Sequence, residues 1–315
     1  MLTLISGAQR FLPQARGVGD LLIGGGQVLA IADGELVTAA LPSVDHVDGR
    51  GKLLLPGLVD VLTHPCGGGG EGGFANRTDE IPTETFVRAG VTAPRGALGT
   101  DSLGRSLEVL YGKVNALRAS GLKAFMYSGA YRVPPPTLTG DVARDLYLVD
   151  PVIGIGEVAV SDHRGTQPSA EELRRLAGET QLGGILGGAG GTVLVHVGDG
   201  DDRLQLLRET VEHSELPARV LFPTHVNRST ALLDEAAEWT LAGGFVDITV
   251  STTPELVAAG DIEAFDALRR LVEAGATPSR VTCSSDAGGS LPLYVDGQLK
   301  GLTAAEPSVL VELLM

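Results

Sequence analysis

Thr192-Val-Leu-Val-His-Val197, the amphipathic stretch Leu204–His213 and then Ala218-Arg-Val-Leu-Phe-Pro-Thr-His225 read as strand, helix and strand, with a histidine at the end of each strand. An apolar run without polar alternation is what a strand looks like when helices cover its sheet, and a helix between two such runs makes them parallel. Outward from this unit the texture repeats. Apolar runs occur at Leu53–Asp60, Val91–Leu98, Leu122–Ser128, Val152–Val160, Thr192–Val197, Ala218–Pro223, Gly244–Val250 and Arg280–Ser284. Between them Ser106–Ala119, Ala170–Leu182, Leu204–His213, Ala231–Ala242 and Ile262–Ala274 carry Leu, Val or Ala at helical spacing, and Ser251-Thr-Thr-Pro-Glu255 has the composition of a helix start. Eight runs are the number that closes a barrel, so the predicted class is α/β, a (β/α)8 TIM-type barrel over residues 51–315. Residues 1–50 read instead as short strands with glycine turns (Asp20–Ile23, Gly26–Ile31, Gly34–Val37), a partial β-sandwich segment.

Composition narrows the function classes. A 315-residue chain with 43% hydrophobic but only 4% aromatic residues builds its core from Val, Leu, Ile and Ala. Its formal net charge of −15 repels phosphates, which argues against nucleic acid as a partner. The two cysteines, Cys66 and Cys283, are far apart and form no redox or metal pair, which fits a reducing compartment. Met1–Val18 lacks the charged start and apolar run of a signal peptide, and no apolar stretch reaches the roughly 20 residues a membrane span needs. A cytoplasmic protein is the expectation. Of the 44 glycines, one group lies beside Cys66 and another at Gly183–Gly191. The second lacks the Gly-Lys-Ser/Thr ending of a phosphate loop and is predicted to be a turn into the next strand.

In a barrel of this kind the chemistry sits where strands end, on the carboxyl face. Of six histidines, His64, His196 and His225 fall at the ends of apolar runs; His46, His163 and His213 do not. Glu157 in Ile153-Gly-Ile-Gly-Glu and Asp286 in Thr282-Cys-Ser-Ser-Asp occupy two more such ends. Three imidazoles and two carboxylates converging on one barrel mouth make a divalent-metal site, since neutral nitrogen and anionic oxygen together suit zinc and its neighbours. Singly, each histidine is as readily a satisfied core or loop residue, and Asp286 before Ala-Gly-Gly is as readily a turn aspartate. Cys66, close to His64, is a soft donor by chemistry but more often a small buried thiol.

The ordered segments Leu55-Pro-Gly-Leu-Val-Asp60, Gly67-Gly-Gly-Gly-Glu71, Gly99-Thr-Asp-Ser102, Ser128-Gly-Ala-Tyr-Arg-Val-Pro134, Ser161-Asp-His-Arg164, Pro223-Thr-His-Val-Asn-Arg228 and Ser284-Ser-Asp286 resemble those of isoaspartyl (β-aspartyl) dipeptidases of the amidohydrolase superfamily. The resemblance runs from about Leu54 to Pro292. It implies a two-zinc centre on a barrel, with a β-sandwich made from both chain ends; relative to that pattern the sequence is C-terminally truncated, ending in a predicted helix at Ala305–Leu314. Carried over position by position, His64 resembles the second histidine of a His-x-His pair, His196 and His225 the ligands of the second metal, and Asp286 a ligand that doubles as the acid–base residue. Two positions depart. Leu62 stands where the family has the first histidine, and Glu157 where it has a bridging carboxylated lysine. A glutamate still presents a carboxylate to a metal, whereas leucine offers no donor, so one firm metal and a weaker second site are expected.

By the same resemblance Glu71 receives the substrate's α-ammonium group, and Gly69, Thr100 and Ser290 hold the α-carboxylate of the isoaspartyl residue. Arg164 and Arg228 clamp the carboxylate of the leaving residue, for which a guanidinium fork is well shaped. Tyr131 donates to the developing oxyanion. The implied activity is zinc-dependent hydrolysis of isoaspartyl dipeptides by a metal-bound hydroxide, with a small dipeptide as the binding partner and a homo-oligomer as the assembly. The departures at Leu62 and Glu157 leave two alternatives: another amidohydrolase activity on an N-acyl amino acid or cyclic amide, and a relative without catalysis.

Overall fold

Along Thr192–Val197, Val193, Val195 and Val197 belong to the large apolar core, whereas Leu194 packs with Leu62, Ala97, Tyr127 and Phe222 in a second cluster. Successive strand residues face opposite ways, so this split separates a helix-facing side from a barrel-facing side, and His196 shares the latter with Leu194. The computed structural model of the chain describes residues 1–12, 14–41, 43–188, 190–295 and 298–313. They form two compact units, Met1–Gly57 and Leu58–Met315.

The first unit is a five-stranded sheet in which Leu2–Phe11 pairs antiparallel with Ala15–Gly24 and parallel with Val44–Asp48 and Leu53–Leu54, while Gln27–Ala32 flanks Ala15–Gly24. The expected strand at Gly34–Val37 is absent; there the Leu36 amide donates to Asp20 Oδ2 at 2.8 Å. The expected single run Leu53–Asp60 is also divided. Leu53–Leu54 belongs to this first sheet and Leu58–Thr63 begins the second unit, because Pro56 has no N–H for a ladder and Gly57 frees the backbone to turn.

In the second unit six parallel strands run in the order Leu221–Thr224, Thr192–Val197, Val152–Val160, Phe125–Ser128, Val91–Gly96, Leu58–Thr63, and Val246–Thr249 pairs parallel with Val281–Ser284. Backbone and side-chain hydrogen bonds tie the two sheets into one barrel. Ser285 donates from its amide and hydroxyl to the carboxylate of Asp60, and Thr63 bridges Ala287. At the opposite seam Thr224 Oγ1 donates to Asp247 Oδ2 at 2.8 Å. Seven helices, Thr83–Arg88, Leu107–Ala119, Val142–Leu148, Ala170–Gly187, Gln205–Glu212, Thr230–Leu241 and Ala264–Glu273, lie between consecutive strands of the described residues, with the short Pro254–Ala259 before the last.

Ala170–Gly187 shows why these residues are helical. Ser169 and Glu172 exchange hydrogen bonds in a capping box, Leu173, Leu176 and Ala177 bury one face, and Gly188 ends the helix at φ 67°. The glycines at 183, 184 and 187 are therefore helical, not the predicted turn. A Cβ on Gly184 would sit 2.4 Å from Gly191 Cα, and one on Gly187 2.4 Å from Leu146 O. The glycines permit close backbone approach. Residues Ser290–Val295 and Gln298–Ala304 form an antiparallel hairpin that the sequence reading did not anticipate, and the predicted helix Ala305–Leu314 is confined to Val309–Glu312, with Leu314 outside the described residues. No helix among the described residues is long and apolar enough to cross a membrane.

Candidate metal centre and substrate pocket

His64 directly follows its strand and His225 follows Leu221–Thr224, while Asp286 lies two residues beyond Val281–Ser284. His225 and Asp286 adopt left-handed backbone conformations, φ 63° and 52°. Non-glycine residues are seldom held there, and such strain concentrates at functional sites. Glu157 differs from its expected place: its strand continues to Val160, and the register against Thr192–Val197 shifts beside it. A bulge of this kind re-aims a side chain within a strand.

Glu157, His196 and His225 come together, all buried, with one potential ligand atom each and all within 4.8 Å of one another. Glu157 Oε1 lies 2.8 Å from His196 Nδ1 and 3.1 Å from His225 Nε2, and Oε2 is buried without a hydrogen-bond partner. Burial disfavours the Glu157 charge, yet the hydrogen bonds from the two imidazoles hold its pKa well below the usual carboxylate range. Burial pushes His225 down to about 4, so it is neutral at pH 7 and its ring can donate a lone pair. The other ring nitrogen of His225, Nδ1, contacts Thr249 Oγ1 at 2.5 Å.

His64 and Asp286 stand beside this trio as a pair. His64 Nε2 is 3.0 Å from Asp286 Oδ1 and 3.5 Å from Glu157 Oε2, and its Nδ1 is 3.1 Å from Ala97 O. Although burial opposes a charge there, Asp286 and Glu157 raise His64 to about 9. Leu62, fully buried, fills the same face of the strand with hydrocarbon. Cys66 packs in the apolar core, where burial pushes its thiol up to about 11; it offers no thiolate. His163 is exposed, its Nδ1 3.7 Å from Asp162 Oδ1.

Tyr131 Oη lies 2.7 Å from His196 Nδ1, and burial together with the Glu157 charge raises the phenol well above its ordinary pKa, keeping its proton. A cavity of about 350 Å³ opens here, lined by Asp162, Arg164, His225, Arg228, Asp286 and Ser290 among others. Arg164 also lines a second cavity with Gly69, Glu71 and Thr100. In it Thr100 Oγ1 bonds Gly69 O and Glu71 Oε1, each at 2.9 Å, and Arg164 Nη1 reaches Glu71 Oε1 at 3.1 Å. The expected substrate residues thus line two cavities that share Arg164.

Two residues here carried no assignment from the sequence. Asp162 accepts from Arg164 and His196, and Thr249 holds the ring of His225. Asp162 lay in plain view within Ser161-Asp-His-Arg164, but nothing in the spacing said which neighbour it would bind.

No family model matches the chain. Among solved structures it is similar to the β-aspartyl dipeptidase of the thermophilic keratin degrader Fervidobacterium islandicum AW-1 in complex with a β-Asp-Leu dipeptide, with 39% identity and a TM-score of 0.89 over 100% of this chain and 80% of that one. A second structure of that enzyme matches at 38% identity and a TM-score of 0.88, with the same coverage. The L-hydantoinase of Arthrobacter aurescens, 15% identical with a TM-score of 0.57 over 90% of this chain and 69% of that one, shares the fold. With barrel, donor set and full-length likeness in agreement, the chain belongs to the β-aspartyl dipeptidases of the amidohydrolase superfamily.

Proposed function

We propose that this hydrolase cleaves isoaspartyl dipeptides, using one zinc ion held by Glu157, His196 and His225. The observation that carries the reading is the meeting of that buried donor trio with the Tyr131 hydroxyl, its member His225 lining the same cavity as Arg164 and Arg228. The residues fit a divalent cation: three protein donors leave a coordination position open, and Glu157 Oε2 is buried with no hydrogen bond, His64 Nε2 standing off at 3.5 Å, so its lone pairs are free for a cation. When bound, such an ion supplies Lewis acidity and makes water nucleophilic near neutral pH.

The chain's own groups divide the remaining work. Arg164 and Arg228 bind the carboxylate of the leaving residue. Glu71 takes the substrate ammonium, and Gly69, Thr100 and Ser290 orient the α-carboxylate of the isoaspartyl residue. Tyr131, held protonated, donates to the amide oxygen as charge develops on it. Asp286 carries a proton to the departing nitrogen, its Oδ1 poised on His64 Nε2. A substrate ammonium at Glu71 replaces the contact that Arg164 Nη1 makes there now.

The test compares hydrolysis of β-Asp-Leu, α-Asp-Leu and an N-acetyl amino acid by zinc-loaded protein. Turnover confined to β-Asp-Leu is expected. Preferential cleavage of the N-acyl substrate would move the assignment to another amidohydrolase activity. The buried Leu62 favours one rival, a relative without catalysis, and stoichiometric zinc with no turnover of any substrate would select it.

A further inference from the structure

We propose that Asp162, to which the chemistry above gives no part, is a positioning residue whose single carboxylate aims both His196 at the metal and Arg164 at the substrate. This rests on the assignment of those two residues above. The geometry is that of a built site. The Asp162 side chain is 2% exposed, and both oxygens are used. Oδ1 accepts from Arg164 N at 2.8 Å and Nε at 2.9 Å; Oδ2 accepts from Arg164 Nη2 at 2.6 Å and from His196 Nε2 at 2.9 Å. The two bonds to the side chain are the parallel fork of a bidentate guanidinium pair, which fixes orientation as well as distance.

The turn that carries Asp162 is itself held. Ser161 adopts φ 50°, its hydroxyl donates to Arg203 O at 2.9 Å, and its carbonyl accepts from Gly200 N at 2.8 Å. The Asp162 carbonyl accepts from Gly165 N at 3.1 Å and from Gln167 Nε2 at 2.7 Å. Gly198 lets this turn pack down, since a Cβ there would lie 2.3 Å from Ser161 O.

A carboxylate only accepts, and both ring nitrogens of His196 face one, Asp162 Oδ2 at Nε2 and Glu157 Oε1 at Nδ1; a cation held by the trio would take the Nδ1 lone pair and leave the proton at Nε2 for Asp162. Arg164 Nη2 and Arg228 Nη1 approach the same nitrogen at 3.2 and 3.3 Å, farther than Asp162 does. Nδ1, beside Glu157 Oε1 and the Tyr131 hydroxyl, is thus the nitrogen that would face the cation. A carboxylate on the far nitrogen of a ligating histidine fixes its tautomer and ring orientation and strengthens it as a donor. A buried ion pair is weak evidence of stabilisation, because desolvation offsets its Coulomb energy, so a role in stability alone does not account for it.

The test uses Asp162→Asn and Asp162→Glu in the full chain, with zinc affinity measured by chelator competition and steady-state kinetics on β-Asp-Leu. In Asp162→Asn, zinc binding weakens about 10- to 100-fold. At saturating zinc its KM for β-Asp-Leu rises with little change in kcat, as expected when a clamp for bound substrate is loosened. A purely structural role would lower the melting temperature of the metal-free protein and leave zinc affinity and the KM-to-kcat split alone, and that result overturns the proposal. Should Asp162→Asn not fold, Asp162→Glu decides: it keeps the charge but displaces the carboxylate, and wild-type zinc affinity together with wild-type KM in it refutes the positioning role. If wild type binds zinc but does not cleave β-Asp-Leu, the proposed substrate falls while the zinc arm still decides the link between Asp162 and His196.

Discussion

Leu62 lies fully buried on the face of its strand that two residues later presents His64, in the position where the family resemblance places another histidine. A hydrocarbon there gives a metal nothing to bind, and the nearest carboxylate oxygen to His64 Nε2 is Asp286 Oδ1 at 3.0 Å. Zinc-loaded protein is therefore expected to hold about one ion per chain by elemental analysis, the closed set being Glu157, His196 and His225. Leu62→His should raise the content toward two. An unchanged stoichiometry in that variant would mean that something besides Leu62 keeps the second position from forming. At Asp286 the expected effect is on rate: Asp286→Asn loses the proposed proton carrier and should slow β-Asp-Leu turnover by at least about 100-fold. Zinc content should stay near that of wild type, since Asp286 lies outside the buried trio.

At the scale of elements, the helix Ala170–Gly187 depends on residues that propensity would place outside it. Glycine is unfavourable in a helix interior, yet Gly183, Gly184 and Gly187 lie where the backbones of Ala143, Gly191 and Leu146 come too close for a side chain. Gly184→Val should destabilise by about 1–3 kcal/mol despite removing a helix glycine, because the added Cβ meets backbone that cannot swing aside. Thermal melts check this; a rise in melting temperature would show that the helix end yields instead. The bulge at Glu157 is the other element-scale device. A regular strand would have carried the register through residue 157, and the shift against Thr192–Val197 allows the carboxylate to reach both histidines.

For the molecule as a whole, the barrel seams place two carboxylates, Asp60 and Asp247, in full burial. Burial raises Asp60 to about 7 and Asp247 to about 6, with hydroxyl hydrogen bonds opposing in each case. A carboxyl whose folded pKa lies above its ordinary 3.8 binds more protons folded than unfolded across that interval. Its stabilising contribution is complete below the ordinary value and is lost as pH rises through the folded one. Asp60→Asn removes this dependence. Relative to wild type the variant should gain stability as pH rises from about 4 to about 7, read from urea midpoints. A constant difference between the two proteins across that range would mean that Asp60 is already ionised in the fold.

The residue pattern alone determined the eight apolar runs, the first of them offset from its barrel strand, and five of the seven helices between strands, missing Thr83–Arg88 and Val142–Leu148, because apolar periodicity records which faces must leave water, a local property of each segment. It also marked the histidines and acids at strand ends, since in a barrel those ends converge. Three things waited for the tertiary structure. Which donors of the five form a closed set depended on a bulge at Glu157 and on left-handed backbone at His225 and Asp286, neither of which side-chain periodicity encodes. The glycines after residue 182 read as a turn because only a neighbouring backbone reveals that they are spacers. Asp162 looked like one acid among many until folding brought Arg164 and His196 onto its two oxygens, because a hydrogen-bond partner is a fact of position in space and not of distance along the chain.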